Sequence, residues 1–313
     1  MVRLLVELIS IVCRIMSKAS TQGYQTKMIP VIDFKSKSVL DEIREAYTTV
    51  GFAVFTNALD TQEQTDMNCW FDEMKSFFEL SDEIKRKYPY EGDTNLGYSM
   101  VGDENVDPTA PKDIKESFNY NNTRMPDHLW PRELNGFKAT ALQSIDIADK
   151  LTLRILDKFD TILDTGSTLV DAHLVPFNTT RVIHYPAYKG ELEQKQMRIG
   201  EHSDYGTITL LWQINDVPGL EVQDLEGTWH AVPYANDGIV CNIGDLLQRW
   251  TNDYFKSTKH RVVNSHIHQQ RYSMPHFVDP TPGTMVQNLR DEPSKYDPIE
   301  SKEYLMWRLA QSY

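Results

Sequence analysis

The chain has 313 residues, of which 40% are hydrophobic and 25% are charged, so it can bury one sizeable core and is typical of a globular protein. Its formal net charge of −13, without any run rich in lysine and arginine, argues against a nucleic-acid partner. The three scattered cysteines, Cys13, Cys69 and Cys241, indicate reduced thiols and a cytoplasmic protein rather than a disulfide framework.

Residues 1–27 differ in character from the rest of the chain. Their apolar stretch is interrupted by Glu7 and Arg14, and it is too short and too charged to cross a bilayer. We therefore expect no integral membrane segment. Two interpretations stay open: a disordered extension, or an amphipathic helix that serves as a targeting or membrane-surface element.

The N-terminal half alternates short strands with helices. Apolar residues at helical spacing predict helices over 39–50, 61–80 and 135–163, and β-prone runs predict strands at 29–34 and 52–55. Residues 91–131 are rich in Gly, Asn, Asp and Pro, and we interpret them as an irregular loop region that carries function.

After about residue 167 the pattern changes to many short β-prone runs separated by turn signals. This spacing predicts a β-sandwich or barrel, and the absence of a Gly-x-Gly-x-x-Gly motif gives no support to a dinucleotide site. A closing helix is predicted over 299–313. The predicted strands are Thr180–Tyr185, Thr207–Trp212, Leu220–Gln223, Trp229–Val232, Ile239–Ile243, Arg261–Asn264 and Arg271–Phe277.

One segment carries the strongest chemical signal, because His202 and Asp204 stand two residues apart beside a predicted strand. Residues at i and i+2 of a strand share a face, so an imidazole and a carboxylate would project together. A bare His-x-Asp also fits a core histidine and a turn aspartate. With His260 as third ligand, however, it makes the two-histidine, one-carboxylate triad that holds non-haem Fe(II) with open positions.

A second pair of residues predicts an anion site. Arg271 and Ser273 share a strand face, and a guanidinium with a hydroxyl is what a buried carboxylate needs. A metal triad together with a separate anion clamp indicates a co-substrate that chelates iron at one end and carries a carboxylate at the other.

These segments, in this order, resemble the isopenicillin N synthase-like branch of the Fe(II)/2-oxoglutarate-dependent oxygenases. The resemblance covers nearly all of the chain from about Met28 to Tyr313. The segments that carry it most clearly are His202-Ser-Asp-Tyr-Gly206, Asn242-Ile-Gly-Asp245, Trp250-Thr-Asn252, His260-Arg-Val262 and Arg271-Tyr-Ser273.

The resemblance implies a mixed α and β fold with a double-stranded β-helix, or jelly-roll, core flanked by N-terminal helices. The implied organisation is an N-terminal helical and β region over 28–166, the Fe(II)/2-oxoglutarate core over 167–285, and a C-terminal helix over 286–313 that belongs to the same globule.

The resemblance also assigns roles to the candidate residues. It implies that His202, Asp204 and His260 bind iron. Arg271 and Ser273 would hold the distal carboxylate of 2-oxoglutarate, and Tyr185 matches a tyrosine that helps to hold co-substrate or substrate in many members. One departure is Ile183, since plant members often have asparagine there.

The implied activity is a dioxygenase that uses Fe(II), 2-oxoglutarate and O2, with ascorbate helping to keep the iron reduced. It would oxidise an unactivated C–H bond of a small molecule in specialised metabolism, by hydroxylation, desaturation or oxidative cyclisation. Two alternatives stay open: a non-haem iron oxidase of this fold that needs no 2-oxoglutarate, and a non-catalytic binding protein on this scaffold.

Candidate substrate contacts come from the predicted loop region and from one strand. In relatives this loop covers the pocket, and Arg124 would favour a substrate that bears a carboxylate. His184 is a candidate although strand alternation turns it away from Tyr185. The loop candidates are Phe118, Tyr120, Asn122 and Arg124.

Overall fold

The computed structural model describes residues 29–104, 111–194 and 196–312. The predicted extension over 1–27 lies outside the described residues. Within the described ranges Cys69 is an exposed free thiol and Cys241 a buried one, and Cys13 lies outside those ranges. None of the described helices combines the length and apolar composition needed to cross a bilayer.

Two long helices, Thr61–Glu79 and Phe137–Leu163, lie against each other in the N-terminal half. The first begins with a capping box: the Asp60 carboxylate accepts from the backbone N–H of Glu63, and the Glu63 carboxylate accepts from the backbone N–H of Asp60. The helices are α1 Val39–Thr49, α2 Thr61–Glu79, α3 Asp82–Lys85, α4 Phe137–Leu163, α5 Thr168–Asp171, α6 Asp245–Trp250 and α7 Ser301–Ser312, with a short 3-10 helix at Asp127–Leu129.

The strands are short and come mostly from the C-terminal half. In chain order they are β1 Val31–Asp33, β2 Phe52–Thr56, β3 Gly97–Ser99, β4 Glu116–Tyr120, β5 Thr179–Tyr185, β6 Ile199–His202, β7 Ile208–Gln213, β8 Leu220–Gln223, β9 Trp229–Ala231, β10 Ile239–Ile243, β11 His260–Val262, β12 Arg271–Val278, β13 Met285–Val286 and β14 Ile299–Glu300.

Two sheets form the core of the fold. The larger has eight strands in the order β1-β2-β10-β7-β12-β5-β4-β3, and the smaller has four in the order β6-β11-β8-β9. Among the described strand pairs of the larger sheet, β1–β2 is parallel and the others are antiparallel. The predicted jelly roll with flanking helices is confirmed.

The residues on alternate faces of the larger sheet enter different cores. On the outer face an aromatic core packs between the sheet and the two long helices, and Trp70 on α2 donates its indole N–H to the Met274 sulfur on β12 at 3.2 Å. A smaller apolar cluster, which includes Phe52, Ile183 and Leu220, lies on the inner face between the two sheets.

Two local predictions were wrong. The region 91–131 is not wholly irregular, because β3 and β4 extend the larger sheet there. His202 and Asp204 do not share one strand, since β6 ends at His202 and Asp204 lies in the turn that follows. The turn brings Asp204 back toward the cavity, so strand alternation was the wrong reason for expecting the two side chains together.

Candidate active site

Three predicted ligands converge at one end of the smaller sheet. His202 ends β6 and pairs in register with His260, the first residue of β11. The Asp204 Oδ1 atom lies 3.9 Å from Nε2 of His202 and 3.6 Å from Nε2 of His260. One ligand atom from each residue lies within 4.8 Å of the others. This is a suitable arrangement for a single metal ion.

The surrounding hydrogen bonds orient each ligand. Nδ1 of His202 lies 2.9 Å from the Gly200 carbonyl oxygen, and Nδ1 of His260 lies 3.1 Å from the Thr258 carbonyl oxygen. Because a carbonyl oxygen only accepts, each Nδ1 must carry the proton. Each Nε2 therefore keeps its lone pair for a metal.

Hydrogen bonds also orient the Asp204 carboxylate, through the oxygen that faces away from the histidines. Its Oδ2 atom accepts from Thr209 Oγ1 at 2.6 Å and from Asn242 Nδ2 at 2.7 Å. Both donors therefore engage the oxygen that does not face the histidines. Oδ1 is left to act as the metal ligand.

The charge states also suit metal binding. Burial, reinforced by the neighbouring His260, lowers the pKa of His202 to about 4, so the ring is neutral near pH 7. Burial alone would raise the pKa of Asp204, but the two histidines and its two hydrogen-bond donors lower it. Neutral imidazoles and an ionised carboxylate are the forms that bind metal.

The residues therefore fit a non-haem Fe(II) centre. Two imidazoles and one carboxylate on one side of an ion leave positions for a bidentate co-substrate and for oxygen. Nitrogen and oxygen ligands without a thiolate suit Fe(II), and no fourth described His, Cys, Asp or Glu joins the cluster.

The predicted anion clamp lines the same cavity as the triad. Arg271 is 1% exposed, and its Nη1 donates to Ser273 Oγ at 3.2 Å. Its guanidinium carbon lies 4.9 Å from the centre of the Tyr185 ring. Nε and Nη2 of Arg271 have no hydrogen-bond partner among the described residues.

A second guanidinium strengthens the case for an anionic ligand. Arg198 is fully buried and also contacts Tyr185, with its guanidinium carbon 5.6 Å from the ring centre. Burial, followed by the charge of Arg271, lowers the pKa of Arg198. Neither arginine forms a salt bridge with a described carboxylate, although Nη2 of Arg198 donates to the carbonyl oxygens of His266 and Gln269. Arg271, which lines the cavity, therefore needs a counter-charge, and a dicarboxylate co-substrate would supply it.

The structure does not bring the loop candidates to the cavity. Phe118 and Tyr120 are fully buried in the aromatic core, with ring centres 5.4 Å from Phe137 and 5.1 Å from Trp70 respectively. Asn122 is exposed, and neither it nor Arg124 lines the cavity.

Arg124 is engaged elsewhere. Its guanidinium stacks at 4.2 Å over Phe177 and donates to Thr179 Oγ1 at 3.2 Å. The expectation of a carboxylate on the substrate therefore draws no support from Arg124.

His184 lies on the face of β5 opposite to Tyr185, as strand alternation predicts. Its Nδ1 lies 2.7 Å from a carboxylate oxygen of Glu116, and its ring stacks at 4.6 Å on Tyr272. His184 is therefore part of a buried network behind the sheet and does not line the cavity.

Sequence reasoning missed several residues that shape the site. Thr209 and Asn242, which fix the Asp204 carboxylate, had no predicted role, although Asn242 begins the Asn242–Asp245 motif that the family shares. Lys115 and Arg181 line the cavity and were not candidates. A signal was available for Arg181, because it alternates with Ile183 and Tyr185 along one face of β5.

Asp245, from the same motif as Asn242, is hydrogen-bonded to the segment that carries His202 and Asp204 and to the segment that precedes His260. Its backbone N–H donates to the Asp204 carbonyl oxygen at 2.8 Å. Its carboxylate accepts from Ser203 Oγ at 3.0 Å, from Ser257 Oγ, and from Arg308 on α7. The C-terminal helix is thereby linked to the turn that carries Asp204.

Comparison with known proteins agrees with this geometry. The model of the 2OG-Fe(II) oxygenase superfamily matches residues 177–280, and the model of the N-terminal region of non-haem dioxygenases in morphine synthesis matches residues 29–137. Proline hydroxylase buaE from Petromyces alliaceus is 31% identical, over 89% of this chain and 95% of its own length. The 2-oxoglutarate-dependent dioxygenase htyE from Aspergillus rugulosus is 30% identical, over 87% of this chain and 92% of its own.

A solved structure supports the same relationship. A full-length Neurospora crassa protein, crystallised in complex with alpha-KG and thymine, superposes with a TM-score of 0.80 at 31% identity, covering 91% of this chain and 97% of that one. Sequence and fold agree over nearly the full length of the relatives. This chain belongs to the Fe(II)- and 2-oxoglutarate-dependent oxygenase superfamily and is a dioxygenase with those two cofactors.

Proposed function

We propose that the cavity between the two sheets is the active site, with His202, Asp204 and His260 as the iron ligands. Arg271 and Ser273 would bind the distal carboxylate of 2-oxoglutarate, with Tyr185 beside them. One observation carries this proposal: the triad and a buried, unneutralised arginine line a single cavity. A cofactor that bridges them needs a chelating end and an anionic end.

The protein's own residues position the reactants and exclude water. When bound, the iron and 2-oxoglutarate supply the oxidising chemistry, in which 2-oxoglutarate and O2 become succinate and carbon dioxide while a substrate C–H bond is oxidised. The hydrogen bonds to Nδ1 of both histidines and to Asp204 Oδ2 fix the ligand atoms in advance. Apolar walls, including Phe52 and Leu211, keep solvent from the centre.

The related oxidases that need no 2-oxoglutarate fit this site less well. Without a dicarboxylate, Arg271 would stay buried with the N–H groups of Nε and Nη2 unpaired, at a cost of about 1–3 kcal/mol for each. A non-catalytic binding protein would have no need for three ligand atoms preset around a metal position.

The substrate is a small molecule, and we propose that it belongs to specialised metabolism. Support comes from the relatives, which include buaE, named as a proline hydroxylase, and claD of Penicillium crustosum, named as a clavatol oxidase. A screen of candidate small molecules for stimulated succinate release would test this proposal. A substrate found only among macromolecules would contradict it.

The test of the cofactor roles is an anaerobic titration of the purified protein with Fe(II) and then 2-oxoglutarate. The visible charge-transfer band of the chelate should appear, and Arg271→Ala should need about 10- to 100-fold more 2-oxoglutarate, because one charged hydrogen-bonding partner is lost. Asp204→Ala, which removes a candidate ligand, should bind little iron. An unchanged 2-oxoglutarate requirement in Arg271→Ala would remove it from the clamp.

A further inference from the structure

Lys115 is a buried cation in the wall of the active-site cavity. It directly precedes β4, its side chain is 2% exposed, and it lines the same cavity as His202. Its Nζ atom lies 2.7 Å from Glu104 Oε2 and 3.5 Å from Asp113 Oδ2. A lysine is rarely buried to this degree without a specific reason.

Arg181 stands beside it on the neighbouring strand. Its Nη1 atom lies 2.7 Å from the same Glu104 Oε2 atom. In the pairing of β4 with β5, Asn119 lies opposite Arg181 and Ser117 opposite Ile183, and the Ser117 hydroxyl donates to Glu104 Oε1 at 2.9 Å. Glu104 therefore joins two cations and a hydroxyl across two strands.

The cations and the carboxylates of this cluster differ in whether they line the cavity. Lys115 and Arg181 are among the residues that line the cavity, whereas Glu104 and Asp113 are not. Both cations therefore form part of the cavity wall, and Glu104 fixes the position of the Lys115 ammonium and of the Arg181 guanidinium. Burial would raise the pKa of Glu104, but Arg181 and Lys115 hold it well below its usual range, so the carboxylate stays ionised.

This donor pair is separate from the 2-oxoglutarate clamp. Arg271 pairs with Tyr185 at one end of β5, and Arg181 lies four residues away on the same face, about 13 Å along the strand at roughly 3.3 Å per residue. Between and around them the wall is apolar, with Ile183, Leu211 and Phe277. A molecule that fits this wall has an apolar body and one strong hydrogen-bond acceptor.

We propose that Lys115 and Arg181, positioned by Glu104, bind a carboxylate or carbonyl oxygen of an otherwise apolar substrate and thereby orient its reacting carbon toward the triad. This inference rests on the proposed function, because it assigns a substrate class to the same site. It replaces Arg124 with two cations that do line the cavity. Arginine and lysine suit this task because both donate several charge-assisted hydrogen bonds.

The test uses benzoate, methyl benzoate and toluene as probes that share a flat apolar ring and differ in the acceptor. Their binding to the anaerobic complex of the full chain with Fe(II) and 2-oxoglutarate is measured by calorimetry. Benzoate should bind the wild-type complex at least about tenfold more tightly than toluene, as one charged hydrogen bond predicts. Methyl benzoate then decides between a carbonyl and a carboxylate, since only a carbonyl site would bind it as well as benzoate.

Lys115→Met should weaken benzoate binding by about 10- to 100-fold and leave toluene binding unchanged. Lys85→Met is a matched control, because Lys85 is also buried, lies 2.7 Å from a glutamate and 3.2 Å from an aspartate, but does not line the cavity. It should bind benzoate as the wild type does. Lys115→Arg, which keeps the charge, should retain most of the affinity.

The charge-transfer band of each variant separates the possible failures. If the wild type shows no band, the proposed function is wrong, whatever the probes do. If Lys115→Met shows the band and still binds benzoate as the wild type does, or if the wild type does not prefer benzoate over toluene, the inference about Lys115 and Arg181 is overturned.

Discussion

Two lysine–glutamate clusters lie on opposite faces of the sheet at the start of β4. Lys115 and Glu116 are neighbours in sequence, so alternation sends their side chains to opposite sides. The cavity cluster contains Lys115, Glu104 and Arg181, and the rear cluster contains Glu116 with Lys85 and His184. In each cluster the lysine and the glutamate are 2.7 Å apart.

The difference between the clusters is in their position relative to the cavity, because Lys115 and Arg181 line it and Lys85 and Glu116 do not. In the rear cluster Glu116 accepts from Lys85, Tyr98 and His184, and the other His184 nitrogen meets Gln270 at 3.0 Å. That network is closed within the protein. In the cavity cluster the cations face the space where substrate would bind. The Lys85–Glu116 pair of the rear cluster therefore has a structural role, whereas the Lys115–Glu104 pair of the cavity cluster has a role in recognition. The residues and the space around each pair determine its role.

The largest expected effect is on stability and falls on the rear cluster. Lys85→Met should lower the free energy of unfolding by about 3–5 kcal/mol, because it breaks a buried ion pair and leaves Glu116 without its permanent cation. Lys115→Met should lower it by only about 1.5 kcal/mol, since Glu104 keeps Arg181. Urea unfolding of both variants measures the difference. Equal losses would show that the two clusters are equivalent structurally.

Acid should weaken the rear cluster before the cavity cluster. Burial would raise the pKa of Glu116, but hydrogen bonds from His184, Lys85 and Tyr98 lower it below its ordinary value of 4.5. Its stabilisation is therefore present above about pH 4.5 and is lost as the pH falls through the lowered value. Glu104 is held further below its ordinary range and should persist.

The measurement is urea unfolding of the wild type and Glu116→Gln between pH 7 and pH 3. The wild type should be more stable at pH 7, and the gap should shrink as the pH falls below about 4.5. Glu104→Gln is the comparison variant, and its gap should shrink only at lower pH. A gap for Glu116→Gln that is constant over the whole range would contradict the assignment.

The smallest expected effects come from the single hydroxyl that each cluster contributes. Tyr98→Phe should lower the free energy of unfolding by about 1 kcal/mol and leave benzoate binding unchanged. Ser117→Ala should weaken benzoate binding by roughly two- to tenfold, because Glu104 loses the donor that orients it. If Tyr98→Phe weakened benzoate binding as much as Ser117→Ala does, the two faces of β4 would not be functionally distinct.

The sequence was sufficient for the features that depend on local spacing and motif. The short strands of the second half, the two long helices and the convergence of His202, Asp204 and His260 were all predicted. The position of His184 behind the sheet also followed from alternation. These features share one property: each depends on residues close together or on a pattern specific enough to identify its family.

The sequence was insufficient where a role depends on long-range pairing. Glu104 meets Arg181 across 77 positions, and nothing local indicates that either charge is buried. Phe118 and Tyr120 were candidate substrate contacts, but the register of β4 with β5 turns them toward the helices. The strand Glu116–Tyr120 was included in the predicted irregular region. Its charged, polar and aromatic residues are all buried, so it lacks the alternation of polar and apolar residues by which a half-buried strand is recognised.

The order of strands in the larger sheet constrains how the chain is made. The strands β10, β7, β12 and β5 form its centre, while β2 covers one side and β4 the other. Both covering strands come from the N-terminal half, so they are synthesised before the strands they pair with. A fragment limited to the second half would expose two unpaired edges, which are templates for aggregation. β4 must wait for β5 and β2 for β10, and the central strand β12 is made after both, so the sheet of this oxygenase closes only once synthesis has passed Val278.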